Sequence, residues 1–224
     1  KDVLSQVIIG SRTALIVGFT AALFLTFIGT NGGLIAGYFG GPVDSLLMRM
    51  TDVAFGIPFL PFVIVLITLT GPSIWNIIIT ISVLMWRTTA RVIRSQVLSI
   101  KERPYILAAR VGGASHLRIL YVHILPNVLP MAFLYIALGI AWATLAEASL
   151  SFLGFGIPPP TPSWGQMVSA GKEFLRSAPW VTLFPGLFLA ATVLALNLAG
   201  DALRDALDPR HAVAGRATGG GPGA

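Results

Sequence analysis

The chain has 224 residues, of which 55% are hydrophobic, and it carries 15 Lys or Arg and 9 Asp or Glu. A charged fraction of 11% lies far below the roughly 25% of an ordinary soluble domain, and so apolar a composition also excludes a disordered chain. The absence of cysteine excludes disulfides and thiolate metal sites, and a net charge of +6 in an apolar chain indicates the cytoplasmic side of a membrane rather than nucleic acid.

Five stretches without Asp, Glu, Lys or Arg predict where the chain crosses the membrane, since about 20 helical residues span a bilayer core. The stretch 53–86 is too long for one crossing, and Gly71-Pro72 near its middle signals a turn. A proline-rich run in the stretch 148–171 predicts a loop at a membrane surface. We therefore predict five transmembrane helices, at about residues 13–36, 53–70, 73–92, 127–150 and 180–200.

The distribution of basic residues predicts the orientation of these helices. Seven of the 15 Lys and Arg residues lie between Arg87 and Arg118, where Glu102 is the one acid. The positive-inside rule makes the loop 93–124 cytoplasmic. Alternation then places the loop 154–178 outside.

The two ends of the chain follow from the same alternation. Residues 1–10 form an outer segment without the features of a signal peptide, and we expect a further helix to precede Lys1. Residues 11–204 form one membrane domain, and the glycine-rich tail 205–224 is predicted to be cytoplasmic and largely disordered.

No motif for catalysis, nucleotide binding or metal binding is present, so we expect no enzymatic activity, cofactor or metal. His116, His123 and His211 are interpreted as ordinary polar residues.

Glu147 is the one acid within a predicted membrane helix, where a carboxylate must face the bundle interior or a partner. It either lines a solute path or gate, with Ser149 and Ser151, or makes a structural hydrogen bond with their help. The sequence leaves both readings open.

Local signals within residues 102–127 predict a short helix that protrudes into the cytoplasm. Pro104 suits a first helical turn, and Gly112-Gly113 suits a helix end that acts as a hinge. Ser115 is a plausible N-cap for the next helix.

A second helix is predicted after Ser115. Leu117, Leu120, Tyr121 and Ile124 recur at helical spacing and predict an apolar stripe on the membrane surface. Pro126 should break this helix before the next crossing.

The same segment resembles the coupling loop of the membrane subunits of binding-protein-dependent ABC importers. That family's pattern is Glu-Ala-Ala, three residues, Gly, nine residues and Ile-x-Leu-Pro. Ala108-Ala109, Gly113 and Leu125-Pro126 match it at the right separations, whereas Leu107 and His123 replace its Glu and Ile.

Further motifs narrow the resemblance to the second, C-type permease of dipeptide, oligopeptide and nickel importers. They are Asp2–Ser5, Ala36–Gly41, Ala146–Gly154, Pro158–Gly165 and Asp201–Pro209. The resemblance implies an all-α polytopic bundle of the ABC transmembrane type-1 kind in the bacterial inner membrane, in contact with lipid and not with nucleic acid.

What the resemblance implies for function is a translocation path formed with a second, homologous permease subunit. Two cytoplasmic ATP-binding subunits would drive it, and an extracytoplasmic solute-binding protein would deliver short peptides or nickel, of which we expect peptides. It implies an ATPase-coupling loop that comprises Tyr105, Leu107, Ala108, Ala109, Arg110, Gly112, Gly113, Ala114, Ser115, Leu125 and Pro126.

Two other classes of protein compete with this interpretation. An ion-coupled secondary transporter or channel would have interrupted helices and several polar groups that converge at the membrane midplane. Asn31, Asn76, Glu147 and Asn197 are scattered in the sequence. A membrane receptor or scaffold would use the basic loop to bind a signalling partner, and neither class would require ATPase subunits.

Overall fold

The computed structural model describes residues 2–207, and these residues are helical with no β-strand among them. The elements in chain order are α1 (Val3–Phe39), α2 (Gly41–Gly56), α3 (Phe59–Thr70), α4 (Ile74–Ile100), α5 (Pro104–Val111), α6 (His116–Arg118), a π-helical turn (Ile119–Ile124), α7 (Leu125–Phe152), α8 (Trp164–Gly171), a 3₁₀ turn (Lys172–Phe174) and α9 (Trp180–Leu207). The predicted all-α class is confirmed.

Among the described residues, four helical stretches are long and apolar enough to cross a membrane, and the bent pair α2–α3 would make a fifth crossing. The four are Val3–Phe39, Ile74–Ile100, His116–Phe152 and Trp180–Ala206. Most of the tail predicted for 205–224, with His211, lies outside the described residues, and its start up to Leu207 belongs to α9.

Helix α1 begins at Val3, whereas the sequence predicted a crossing from residue 13. Asp2 caps its first turn, because its Oδ1 accepts a hydrogen bond from the Leu4 N–H at 3.1 Å. Arg12 is exposed on the helix surface. A charge that can reach solvent does not end a helix, so residues 3–10 continue α1 rather than form a separate segment.

The predicted helix 53–70 is wrong, because the chain bends by 92° between α2 and α3. Ile57, which precedes Pro58, has an extended backbone (φ −83°, ψ 121°), as the clash with a following proline ring favours. Helix α2 was missed because Asp44, Arg49 and Asp52 break the apolar stretch from which crossings were predicted.

The side chains of α4 explain how α2 carries these charges. Arg94 donates to both carboxylate oxygens of Asp44, and Arg91 donates to Asp52. Helix α4 itself extends to Ile100, well beyond the predicted end at residue 92. The basic residues predicted to lie in a loop therefore begin on a helix.

The prediction that Pro126 breaks the helix is wrong, because helical backbone continues from His116 to Phe152. The π-helical turn directly precedes Pro126, and the Leu125 N–H donates to the Leu120 carbonyl five residues earlier. The wider turn relieves the contact that a proline ring otherwise makes with the preceding turn.

The predicted apolar stripe on the membrane surface is also wrong in part. Leu120 and Ile124 are buried in the bundle, whereas Leu117 and Tyr121 are exposed. The π turn adds a residue to the helical repeat, so these four side chains do not share one face.

Helix α1 is the centre of the bundle and packs chiefly against α4 and α7. Its glycines allow close approach: a Cβ on Gly33 would lie 2.5 Å from the Ala90 carbonyl oxygen, and one on Gly18 would lie 2.4 Å from the Thr144 hydroxyl. Small residues at helix contacts are typical of membrane bundles, where van der Waals packing drives association.

The loop predicted for 154–178 contains helix α8, which the sequence did not predict. Trp164 at its start is buried, and its indole N–H donates to the Val7 carbonyl at 2.9 Å. Gly165 lets α8 lie directly on α7, since a Cβ there would be 1.9 Å from the Ala148 carbonyl oxygen. This segment therefore covers one end of the bundle and ties α1 to α7.

Candidate functional site

Helix α5 is anchored to the bundle by one side chain. Ile106 is completely buried. It belongs to an apolar cluster with Leu34 from α1, Ile100 from α4 and Ile124 from the π turn. Because a buried isoleucine makes many van der Waals contacts in a close-packed core, α5 is held against the ends of three elements.

Apart from Ile106, α5 carries side chains that are exposed or partly buried, and Ala109 and Arg110, three and four residues after Ile106, border its buried side. Tyr105 and Leu107 are each 42% exposed and Val111 is 90% exposed. Ala108 is exposed and Ala109 is partly buried. We call the set Tyr105, Leu107, Ala108, Ala109, Arg110 and Val111 the α5 face. Apolar residues and small side chains together make it suited to close contact with a protein partner.

The end of α5 is a hydrogen-bonded corner. The Ala114 N–H donates to the Ala109 carbonyl at 3.0 Å, and the Gly113 N–H donates to the Arg110 carbonyl at 3.1 Å. This is the Schellman arrangement, which requires a left-handed residue at the corner. Gly113 supplies it with φ +77°.

Ser115 starts the next helix, as predicted from the sequence. Its Oγ accepts a hydrogen bond from the Arg118 N–H at 3.4 Å. Two capped helix ends therefore meet within a few residues, so the corner between α5 and α6 has a defined geometry. Gly113 has a positive φ, and nothing lies within 4 Å of a Cβ built there, so the backbone angle and not a close approach favours glycine at this position.

His116 and Tyr38 form a contact that sequence reasoning missed. The Tyr38 hydroxyl and His116 Nδ1 are 2.8 Å apart, and Arg110 lies 5.8 Å from the centre of the Tyr38 ring. Tyr38 lies at the end of α1, far away in sequence, so no local signal could have revealed the pair. Together with Ile106, it ties the corner to α1.

A cavity of about 820 Å³ opens between α1, α3, α4 and α7. Its lining comprises Leu25, Phe59, Leu60, Pro61, Ile81, Met85, Arg87, Thr88, Thr89, Tyr135, Leu138, Gly139, Trp142, Ala143, Leu145, Ala146 and Ser149. Trp142 is 61% exposed and lies mid-helix, which the aromatic-belt pattern does not explain. Its position in the cavity wall accounts for it.

Glu147 lies on α7 and is 1% exposed. Its Oε1 accepts hydrogen bonds from the Ser151 hydroxyl at 2.6 Å and the Ser163 hydroxyl at 2.8 Å. Within the described residues, Oε2 has no partner. The carboxylate therefore fastens the proline-rich loop, which ends at Ser163, to the end of α7.

The three residues predicted as a path or gate thus separate into two places. Ser151 contacts Glu147, but Ser149 lies on another face of α7, where its hydroxyl donates to the Leu145 carbonyl and it lines the cavity. Ser163, the second partner of Glu147, was missed. It follows a proline-rich run and gave no signal of its own.

The other predicted coupling residues lie at the helix ends near α5. Gly112 and Ala114 form the corner, and Leu125 and Pro126 begin α7 directly after the π turn. Leu125 packs against the same apolar cluster as Ile106. The structure therefore gathers these residues at one end of the bundle.

Comparison with known proteins shows which family this chain resembles in sequence. The model of the family described as "Binding-protein-dependent transport system inner membrane component" matches residues 29–213. The dipeptide transport system permease protein DppC of Alkalihalophilus pseudofirmus is 40% identical over 210 residues, 94% of this chain and 69% of that protein. The oligopeptide transport system permease protein OppC of Escherichia coli is 43% identical over 94% of this chain and 70% of its own length.

Solved structures agree in fold. An inward-facing structure of the MetNI methionine ABC transporter has a chain that superposes with a TM-score of 0.72 at 20% identity, covering 92% of this chain and 97% of that one. An amino acid ABC transporter with histidines superposes with a TM-score of 0.62 at 17% identity, covering 94% and 99%. The chain belongs to the family of binding-protein-dependent transport system inner membrane components, the multi-pass permease subunits that form the translocation path of ABC importers.

Proposed function

We propose that this chain pairs with a second, homologous permease subunit in an importer of short peptides. Two cytoplasmic ATP-binding subunits would hydrolyse ATP, so the chain itself would catalyse no reaction, and an extracytoplasmic solute-binding protein would deliver the solute. Peptides are proposed over nickel because the relatives above are named as dipeptide and oligopeptide permeases. The corresponding orientation has α5, its corner and the C-terminus in the cytoplasm.

The observation that carries the proposal is the two-sided character of α5. Ile106 attaches one side of α5 to the bundle, and the Tyr38–His116 contact attaches the corner that follows α5, while most of the α5 face is exposed. An ATPase bound to the α5 face could therefore move α5 as a rigid body, and the membrane helices attached to α5 would move with it. An ATPase shifts the transport equilibrium only if its contacts with the α5 face differ between the two states.

The polar residues that an ion-coupled transporter would need are held at separate places. The Asn31 side chain bonds to the Phe27 carbonyl and to Tyr121, and the Asn76 side chain bonds to the carbonyls of Thr70 and Gly71. Glu147 bonds to Ser151 near the C-terminal end of α7. The bend between α2 and α3 is compatible with both classes, so the dispersed polar groups favour the importer.

Ala109→Trp and Gly113→Asp test the docking of the α5 face. A tryptophan on a packed interface typically costs about 1–3 kcal/mol, and about 1.4 kcal/mol is tenfold in a binding constant. We expect both variants to insert at normal levels but to lose most of the ATP hydrolysis that solute-loaded binding protein stimulates. Ala109→Ser is the matched control, since it keeps a small side chain at the same position and should retain full stimulation.

The measurement is ATPase activity of the reconstituted complete transporter, with and without loaded binding protein. Full stimulation in Ala109→Trp and Gly113→Asp would show that energy enters elsewhere. Uptake of radiolabelled dipeptides, oligopeptides and nickel into the same proteoliposomes tests the proposed solute. Uptake of nickel without peptides would reject the peptide part alone.

A further inference from the structure

Three arginines on α4 lie on one side of the helix but have different partners. Arg87, Arg91 and Arg94 are spaced by four and three residues, which places them on one helical face. Arg94 is paired with Asp44, and Arg91 with Asp52. Within residues 2–207, no carboxylate lies within 4.0 Å of the Arg87 guanidinium.

Within the part of the chain that the structure describes, the contacts of Arg87 leave most of its N–H donors without a partner. One guanidinium nitrogen donates to the Ala54 carbonyl, and the guanidinium lies 4.5 Å from the centre of the Phe55 ring. Arginine has five N–H donors in a planar fork that suits two parallel hydrogen bonds to a carboxylate. A single carbonyl and an aromatic ring do not neutralise its charge.

Arg87 also lines the large cavity, and the other described residues of that lining are uncharged. It stands 13 residues into α4, about 20 Å along the helix axis at 1.5 Å per residue. Arg87 is partly buried on a helix long and apolar enough to cross a membrane, and charged residues inside membrane bundles typically mark solute pathways. The partner that the described chain does not provide is an anion.

We propose that Arg87 is a carboxylate-binding point in the translocation path. The ligand class is a solute with a free carboxylate, such as the C-terminus of a short peptide, which would accept hydrogen bonds from guanidinium N–H groups that have no partner among residues 2–207. The assignment rests on the proposed function, because it treats the cavity as part of the peptide path. It also narrows that function, since a fixed positive charge repels a free divalent cation such as nickel.

The remainder of the cavity fits this class of solute. Phe59, Met85 and Trp142 give an apolar wall for side chains, and Tyr135 and Ser149 add polar groups. Apolar pockets with a few placed polar groups are the usual form of small-molecule sites. The charge sets the orientation of a peptide while the apolar wall accepts varied side chains.

The test compares a radiolabelled alanine tripeptide with its C-terminal amide, which lacks the carboxylate. Binding to the purified complex of permease and ATPase subunits is measured in lipid nanodiscs, without the binding protein, by scintillation proximity. We expect the free acid to bind the wild type about tenfold more tightly than the amide, which corresponds to about 1.4 kcal/mol. Arg87→Gln should bring the free acid to the level of the amide, and Arg87→Lys should keep part of the difference.

The double variant Arg91→Gln/Asp52→Asn is the matched control, because it removes a positive charge one turn away from Arg87 without leaving Asp52 unpaired, and neither residue lines the cavity. It should bind both peptides as the wild type does. Size-exclusion profiles verify that each variant assembles. Equal binding of acid and amide to the wild type, binding of neither, or an unchanged preference in assembled Arg87→Gln would overturn the assignment.

The failure of the proposed function would look different. The complete wild-type transporter could take up no peptide although the free acid bound more tightly than the amide. That result would reject peptide import but would support Arg87 as a carboxylate-binding residue. If peptide uptake were normal but Arg87→Gln kept the preference for the acid, only the assignment of Arg87 would fall.

Discussion

Glu147 is a single buried carboxylate that holds two hydroxyl groups from different segments. The described contacts favour its structural reading, because it bonds to Ser151 and Ser163 and does not line the cavity. Glu147→Ala would leave buried hydroxyls unpaired, which costs about 1–3 kcal/mol. We expect a lower melting temperature of the purified complex, and Ser163→Ala should show the same effect more weakly.

The control for this prediction is Ser149→Ala, because Ser149 does not contact Glu147. Glu147→Gln separates the two readings: it keeps Oε1 as an acceptor for both serines, so we expect normal stability and normal uptake. Normal stability with lost uptake in Glu147→Gln would instead assign the carboxylate to the path or gate. Melting by intrinsic fluorescence and uptake into proteoliposomes give the two readouts.

Single residues were predictable from the sequence where the signal was local. The glycine corner and the Ser115 cap depend on backbone conformations a few residues long, and both are present. Ser163 and Tyr38 were not predictable, because each gains its role from a partner on another element. The cost of burying a carboxylate predicted that Glu147 faces the bundle interior or a partner but left its role open, and it gave no sign of Ser163.

At the scale of elements, α5 can be tested by separating its two sides. Ile106→Ala empties part of a buried cluster, which typically costs about 2–5 kcal/mol. The α5 face remains intact in this variant. We therefore expect the ATPase subunits to bind at normal affinity while stimulation by loaded binding protein falls.

Leu107→Ala is the counterpart, because Leu107 is on the exposed side of the same helix. It should weaken association of the ATPase subunits, measured by co-purification at graded detergent and salt, and leave the melting temperature of the membrane subunits unchanged. If Ile106→Ala reduced association of the ATPase subunits and Leu107→Ala did not, the side of α5 that carries Ile106 would be the ATPase-binding side, contrary to the prediction.

The ion pairs between α2 and α4 make a second prediction about elements. The side chains of the Asp44–Arg94 pair are 16% and 30% exposed, whereas those of the Asp52–Arg91 pair are 56% and 42% exposed. Exposed pairs contribute about 0–1 kcal/mol, and less exposed charge-assisted bonds contribute about 1.5–3 kcal/mol. Asp44→Asn should therefore lower the melting temperature more than Asp52→Asn. Equal effects would show that burial does not decide the strength of these pairs.

These elements also show where sequence reasoning stops. Apolar length found α1, α4, α7 and α9, since a crossing must be long and uncharged. The same rule misses α2, whose acids are neutralised by arginines from α4, and it misses α8, whose burial depends on Trp164 and Gly165. In both cases the stabilising partner is distant in sequence. The prediction for Pro126 was wrong because the π-helical turn before it makes room for the proline ring, so the helix continues.

For the whole molecule, the basic residues and the packing divide the bundle into two ends. The cluster with Leu34, Ile100 and Ile106 lies where α1, α4 and α5 meet, next to Lys101 and Arg103. The cluster with Val7, Trp164 and Met167 lies where α1 and α8 meet. A chain with α5 in the cytoplasm therefore has α8 and the proline-rich loop on the outer side.

This orientation predicts which single cysteines an impermeant thiol reagent can reach. The chain has no cysteine of its own, so each substitution reports one position. Thr161→Cys and Arg103→Cys are suitable because both side chains are exposed, whereas Ser163 is buried against Glu147. In spheroplasts, Thr161→Cys should be labelled and Arg103→Cys should be labelled only after permeabilisation. Labelling of Arg103→Cys in sealed spheroplasts would place the α5 corner outside, where no ATPase could reach it, and would refute the proposed coupling.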